Sequence, residues 1–190
     1  MQHSLNPTGK AAVEDEVSIQ VVPGLPDIQP GDDLVELLLA SMDRHQISLE
    51  DGDILVIAHK VVSKSEGRIV RLADVKPSAQ ALELAQTVNK DPRKIEVILS
   101  ESKRVVRAVK RPEQEEGTLI AEHRLGFICA NAAVDESNVG TPGSVILLPE
   151  DPDQSAWKLC RGLELATGKK LGVVITDTFG RPWRMGLVNV

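Results

Sequence analysis

Short apolar runs alternate along this chain with stretches whose apolar residues recur at helical spacing, and that alternation predicts a mixed succession of strands and helices. Val17–Val22 reads as a strand ending at Pro23-Gly24. Behind it, Leu34, Leu37, Leu38 and Met42 form one helix face, with Asp32 or Asp33 placed to cap its N-terminus. Asp51-Gly52 is a turn, Ile54–Val62 a strong strand, and Ser63–Gly67 interrupts the apolar run with small, polar and charged residues. Pro77 opens a second helix with Ala81, Leu84, Ala85 and Val88 on one face. Asp91-Pro92 sets an N-cap before proline at the first helical position, and Ile95, Ile98 and Leu99 point inward from the helix that follows. Arg104–Val109 predicts a strand, Pro112–Gly117 an exposed acidic turn, Thr118–Ala132 an extended segment with alternating apolar positions, and Ser144–Leu148 a short strand. Asp151-Pro152 caps a helix with Ala156, Leu159, Cys160, Leu163 and Ala166 toward the core; Gly168 ends it, and Leu171–Ile175 follows as a buried strand.

Composition narrows the classes of function. With 190 residues the chain holds one domain or a two-lobed domain with a real core. Aromatics are 2%, tyrosine is absent and the net charge is −6, which argues against a nucleic-acid partner. A phosphorylated small molecule stays compatible, because divalent ions can supply the positive charge. Met1–Glu16 is polar and carries no apolar signal region, and no apolar run approaches membrane-spanning length. The expectation is a cytoplasmic protein without a membrane partner, with a loose leader over residues 1–16 and a folded domain over 17–190. Cys129 and Cys160 read as two buried, reduced thiols.

Several familiar signatures are absent. Gly162–Lys170 (GLELATGKK) is one residue too long for a phosphate loop and has Lys170 where Ser or Thr is needed, so it reads as a helix C-cap followed by exposed lysines. No GxGxxG opens a helix after a strand, the four histidines lack metal-site spacing, and there is no GxSxG elbow.

Four polar clusters remain, each at the edge of an apolar segment. Gly24–Ile28 (GLPDI) is a tight loop, either a plain turn or a set of backbone N–H groups for a nucleotide. His59-Lys60 with Ser63-Lys64 places two lysines four apart in and after a buried run, where a phosphate or a core carboxylate would partner them. Val134–Val139 (VDESNV) offers Asp135 and Asn138 as a cation ligand and a nucleotide contact, or as an Asx-rich turn, the reading favoured by local chemistry alone. Ile175–Arg184 (ITDTFGRPWR) is the most informative: Asp177 and Thr178 leave a strand end as oxygen donors for a hard cation, with Arg181 and Arg184 nearby as guanidinium donors for phosphate or substrate.

Taken in order, Val22–Ile28 (VPGLPDI), Pro30–Leu34 (PGDDL), Gly52–Gly67 (GDILVIAHKVVSKSEG), Gly126–Val139 (GFICANAAVDESNV), Leu147–Asp153 (LLPEDPD) and Asp177–Arg184 (DTFGRPWR) resemble the coenzyme F420-0:gamma-glutamyl ligases, from about residue 17 to the last. The resemblance implies an α+β fold of mixed, largely antiparallel sheets with flanking helices, assembled as an intertwined homodimer. It implies a GTP- and divalent-metal-dependent ligase that adds L-glutamate to coenzyme F420-0 through gamma-linked amide bonds, by way of an acyl phosphate. Residue by residue, Leu25, Pro26, Asp27, Ile28, His59, Lys64 and Asn138 match GTP contacts, and Asp135, Asp177 and Thr178 match metal ligands. Magnesium or manganese at a two-metal site is the expected cofactor, with potassium a further candidate ion. No residue is required as a nucleophile, since positioning and electrostatic stabilisation suffice for phosphoryl transfer.

The chain departs from the family pattern in places. His59 stands where Ser or Gln is common, Leu125 where His is usual, and Leu187 where Gln is usual. Relatives also continue for several dozen residues beyond the position of Val190. The expectation is therefore a fragment, a truncated product or one piece of a split protein, whose apolar Trp183, Met185, Leu187, Val188 and Val190 form an edge that needs covering. Alone, residues 1–190 are expected to associate or lose stability and not to turn over GTP with F420-0 and glutamate. Two alternatives accompany the ligase reading: an amide ligase of the same fold acting on another carboxylated substrate, and an inactive nucleotide- or metal-binding remnant.

Overall fold

A computed structural model describes residues 17–180 and 187–189. Helix α1 (Leu34–Arg44) begins at Asp33, whose carboxylate accepts from Val35 N at 2.9 Å and Glu36 N at 3.1 Å; Asp32 instead accepts from Gln29 N at 2.7 Å in the preceding turn. Two further caps fall where the pattern places them: Asp91 caps α4 (Pro92–Ser100), and Asp151 caps α5 (Pro152–Thr167), which ends at Gly168 with φ +71°. Helix α3 (Ala79–Val88) begins later than the expected opening at Pro77, because Ser78 takes the N-cap and accepts from Ala81 N.

Strand β1 (Ile54–Ala58) pairs in parallel with β7 (Gly172–Thr176), and β2 (Ile69–Arg71) pairs antiparallel with β6 (Ser144–Ile146). Strands β3 (Ser102–Val109), β4 (Thr118–His123) and β5 (Ile128–Ala130) form an antiparallel sheet, and β8 (Thr178–Gly180) pairs antiparallel with β9 (Leu187–Asn189). The expected mixed α+β architecture with mostly antiparallel pairing is what the chain adopts.

Three expected elements are corrected. Ile54–Val62 is not one strand: β1 stops at Ala58 and α2 (His59–Ser65) follows at once, which carries Val62 into the core and sets Lys60 and Lys64, four apart, on neighbouring turns. Val17–Val22 is extended but pairs with no strand among the described residues, and Val17, Ile19 and Val21 are exposed. Thr118–Ala132 folds back on itself as the β4–β5 hairpin, where Gly126 (φ +95°) makes the turn and His123 N donates to Phe127 O at 2.7 Å.

Among the described residues two large apolar cores form, beside a small cluster around Cys129 and Leu148. One joins α3, α4, β3 and β4 through Ala81, Val88, Ile95, Ile98, Leu119 and Ala121. The other joins α1, α2, α5 and the inner face of β1 through Leu38, Met42, Leu55, Ile57, Val62 and Leu163. A buried carboxylate, Glu101, ties segments together at the end of α4: Arg68 donates to both of its oxygens at 3.0 Å, Arg124 Nε donates at 3.0 Å, and His123 Nε2 lies 3.4 Å away. Burial pushes the Glu101 pKa up, but hydrogen bonds from His123 and Arg124 and the charges of both arginines outweigh it and hold it at about 2. No helix among the described residues is long and apolar enough to cross a membrane.

Candidate functional site

Parallel pairing of β1 and β7 runs in register to its last residues, Ala58 opposite Thr176. The residues that follow, His59 and Asp177, therefore leave the sheet side by side at the C-terminal edge of its strands, the edge where open α/β sheets gather polar chemistry. His59 Nε2 faces Asp177 Oδ1 at 3.5 Å, and the same oxygen accepts from Thr178 N at 2.8 Å. The imidazole is buried and Nε2 has no hydrogen-bond partner, while Nδ1 sits 3.4 Å from Ser63 Oγ. Burial pushes the His59 pKa below its ordinary value against the opposing pull of Asp177, with Lys60 adding to the depression, so the ring is neutral at pH 7.

Asp135 arrives from the opposite side. It follows a turn in which Asn131, Ala132 and Ala133 are all left-handed, with φ of 53°, 48° and 57°. Three such residues in succession, none of them glycine, are strained, and they reverse the chain immediately before Asp135. Backbone hydrogen bonds in both directions with Ile146 then fix Asp135 against β6. Its carboxylate closes an Asx turn by accepting from Ser137 N at 2.8 Å and Ser137 Oγ at 2.8 Å. It also binds Lys60 Nζ at 2.5 Å. Burial alone would raise the Asp135 pKa, but the hydrogen bonds from Lys60 and Ser137 outweigh it and hold it at about 2, so the group is ionised. The VDESNV segment is thus both an Asx turn and a charged-site element.

The loop after Val22 closes the third side. Lys64 Nζ donates to Asp27 Oδ1 at 2.7 Å, and that hydrogen bond and charge lower the Asp27 pKa. Ile28 is buried in the α1 core, Leu25 packs against it, and Pro26 is exposed. Gly140, on the far side of Asn138, lies close enough that an added Cβ would meet Asp27 Oδ2 at 3.5 Å. Asn138 itself is exposed with φ 57°.

The structure therefore brings Asp27, His59, Lys64, Asp135 and Asp177 around α2, with Thr178 next to Asp177. Both Asp135 and Asp177 act electrostatically on His59. Arg181 and Arg184 lie outside the described residues. The sequence pattern did not pair Lys60 and Ser137 with Asp135, nor announce the left-handed turn; the one available signal was a lysine inside an apolar run, whose partner was open between a phosphate and a core carboxylate and is the carboxylate of Asp135. Among the described residues no three His, Cys, Asp or Glu side chains form a ready-made metal cage. The donor chemistry nevertheless fits a hard cation: an ammonium is already held by a carboxylate, a hydroxyl and a carbonyl oxygen, from Asp135 and Ser137.

Fold and centre together define a mixed α+β protein whose acidic, lysine-flanked centre is built where two parallel strands end. The chain belongs to the F420-0:gamma-glutamyl ligase family, whose model matches residues 24–190. It is 49% identical over 172 residues to the coenzyme F420:L-glutamate ligase of Methanopyrus kandleri, a match covering 90% of this chain and 64% of that protein. It is 44% identical over 174 residues to the enzyme of the same name from Methanothermobacter thermautotrophicus, covering 92% of this chain and 66% of that one. The protein of that name from Archaeoglobus fulgidus is 42% identical over 173 residues, covering 91% and 64%. The chain thus spans just under two thirds of the length of these curated relatives.

Proposed function

We propose that this chain carries the nucleotide- and metal-handling centre of a coenzyme F420:L-glutamate ligase, which uses GTP to join L-glutamate to F420-0 through a gamma-linked amide. The name shared by its relatives supports the reaction. The observation that carries the site is the convergence of Asp135 and Asp177 on His59 and Lys60, the first two residues of α2. A carboxylate cannot be attacked by an amine until one of its oxygens becomes a leaving group, and phosphoryl transfer from GTP supplies that group. Asp135, Asp177 and Thr178 would hold magnesium or manganese, which when bound neutralises charge on the polyphosphate. Lys64, at present latched to Asp27, and the backbone of the Leu25–Ile28 loop would position GTP, with Asn138 and His59 on its flanks. Arg181 and Arg184 are proposed phosphate or substrate contacts.

A homodimer is part of this proposal. Parallel sheets are normally covered on both faces, yet Val56 and its register partner Val174 are both exposed, as is Ile54 beside them. A second copy of the chain would cover that face.

The reading is tested by titrating GTP in the presence of manganese into the protein and its Asp135→Asn and Asp177→Asn forms, alongside a ligase assay with F420-0 and glutamate. Metal-dependent GTP binding lost in both variants is expected. GTP binding indifferent to metal and to both substitutions would falsify it.

A further inference from the structure

Three oxygen atoms close on one ammonium group. Lys60 Nζ lies 2.5 Å from Asp135 Oδ2, 2.6 Å from Ser137 Oγ and 3.3 Å from the Ser137 carbonyl oxygen. The side chain is 22% exposed, so it is drawn well out of water to make these contacts, and a lysine gives up considerable rotamer freedom when held this way. The other nearby lysine is already engaged, since Lys64 is held by Asp27. An all-oxygen set of carboxylate, hydroxyl and carbonyl is what a hard metal ion selects. Here a side chain of the protein fills that role.

We propose that Lys60 is the resident counter-ion of the Asp135–Ser137 cage, and that a divalent ion enters the cage by displacing its ammonium, which then pairs with the phosphate of the incoming nucleotide. The inference rests on the reading of Asp135 as a metal ligand. An ammonium and a divalent cation on the same Asp135 oxygen repel each other at these distances, so metal entry opposes the lysine contacts. In this proposal metal alone breaks the three lysine contacts with nothing offered in exchange. When a polyphosphate is present the displaced ammonium gains a new anionic partner, so metal and nucleotide each strengthen the binding of the other, and by the same factor. Lys60 thereby keeps the cage shaped while empty and biases it toward the metal–nucleotide pair over the free metal.

This arrangement sets the signs of two effects, and the second, the loss of coupling to GTP, is one that removing a static neighbouring charge would not produce. Lys60→Met should bind manganese alone about tenfold more tightly than the unsubstituted chain, while the gain in manganese affinity caused by GTP should shrink by a similar factor. Free manganese counted by electron paramagnetic resonance, with and without GTP, reads both quantities; circular dichroism confirms that the variant is folded. Asp135→Asn is the control. If Asp135→Asn loses manganese but Lys60→Met binds it no more tightly than the unsubstituted chain, the Lys60 inference is overturned and the metal reading stands. If Asp135→Asn binds manganese as before, the metal reading fails and this inference with it. A second measurement needs no variant. Acetylation of Lys60 in the unsubstituted chain, followed by mass spectrometry, should quicken severalfold at saturating manganese and slow again when GTP is added; a rate indifferent to manganese overturns the displacement.

Discussion

His59 Nε2 stands 3.5 Å from Asp177 Oδ1 because the parallel register of β1 and β7 ends both strands at the same level. Thr178 N holds that same Asp177 oxygen at 2.8 Å. Asp177→Asn should weaken manganese binding at least about tenfold, or about 1.4 kcal/mol. Equal affinity in the variant would reduce Asp177 to a cap for the start of β8.

The same pair gives a pH dependence. The His59 pKa is depressed below its ordinary 6.5, chiefly by burial, so the unfolded chain takes up this proton before the folded one does. Stability contributed by the neutral ring is present above pH 6.5 and is lost as pH falls below it toward the depressed value. A proton-resolved NMR titration should place His59 below the ordinary histidine value of 6.5, and His59→Gln should flatten that part of the stability–pH curve. An imidazole titrating at or above 6.5 would contradict the assignment.

Lys64 joins α2 to the Leu25–Ile28 loop through Asp27, and in the proposed complex it exchanges that carboxylate for phosphate. Lys64→Ala should weaken GTP by roughly 1.5–3 kcal/mol, the range for hydrogen bonds to charged groups. Calorimetric titration with GTP and manganese measures this directly. An unchanged dissociation constant would leave Lys64 as a latch on the loop and nothing more.

What the sequence disclosed and what it hid follow from how local each signal is. Caps at Asp33, Asp91 and Asp151 act within three residues, and so those helix starts were legible, whereas Pro77 drew the start of α3 two residues too early. The change from strand to helix after Ala58 was not, because Val61 and Val62 continue an apolar run that suits either period. Lys60 and Asp135 meet only because α2 and the segment before β6 pack together, a contact no local pattern carries. The left-handed turn at 131–133 was invisible for a different reason: alanine gives no hint of positive φ, which glycine would have announced. Motif resemblance supplied Asp135 and Asp177 in advance; their partners came from the geometry.

Glu101 is the structural counterpart of the acidic centre. Its pKa falls from an ordinary 4.5 to about 2, and at about 1.36 kcal/mol per pH unit this is on the order of 3 kcal/mol of stability. The sign is that of a depressed carboxylate: the contribution is complete above pH 4.5 and is lost as pH falls through about 2. Glu101→Ala should cost about 3–5 kcal/mol at neutral pH, because Arg68 and Arg124 lose their shared partner, and the acid-unfolding curve should become shallower. Denaturant melts at pH 7 and pH 3 check both statements. A loss below about 1 kcal/mol would mean that the arginines find other acceptors.

The turn that aims Asp135 offers the sharpest test of how the site is held. Ala132 is 1% exposed at φ 48°, and Ala133 is half-buried at φ 57°. Left-handed backbone costs an ordinary residue about 1–2 kcal/mol, and glycine escapes it at an entropic cost of roughly 0.5–1 kcal/mol. Ala133→Gly should therefore stabilise the fold slightly, by about 0.5–1 kcal/mol. Ala132→Val meets both penalties that glycine avoids: a branched side chain at positive φ and added volume in a filled core, together costing about 2–4 kcal/mol. The consequence reaches Asp135, two and three residues on. If the strained turn orients its carboxylate, Ala133→Gly should gain thermal stability while binding manganese and GTP more weakly, since a freer turn no longer fixes the ligand. Thermal melts and a manganese titration on the same sample decide this. Ala133→Gly gaining stability with unchanged affinity would show that Ile146 and Ser137 hold Asp135 without help from the turn.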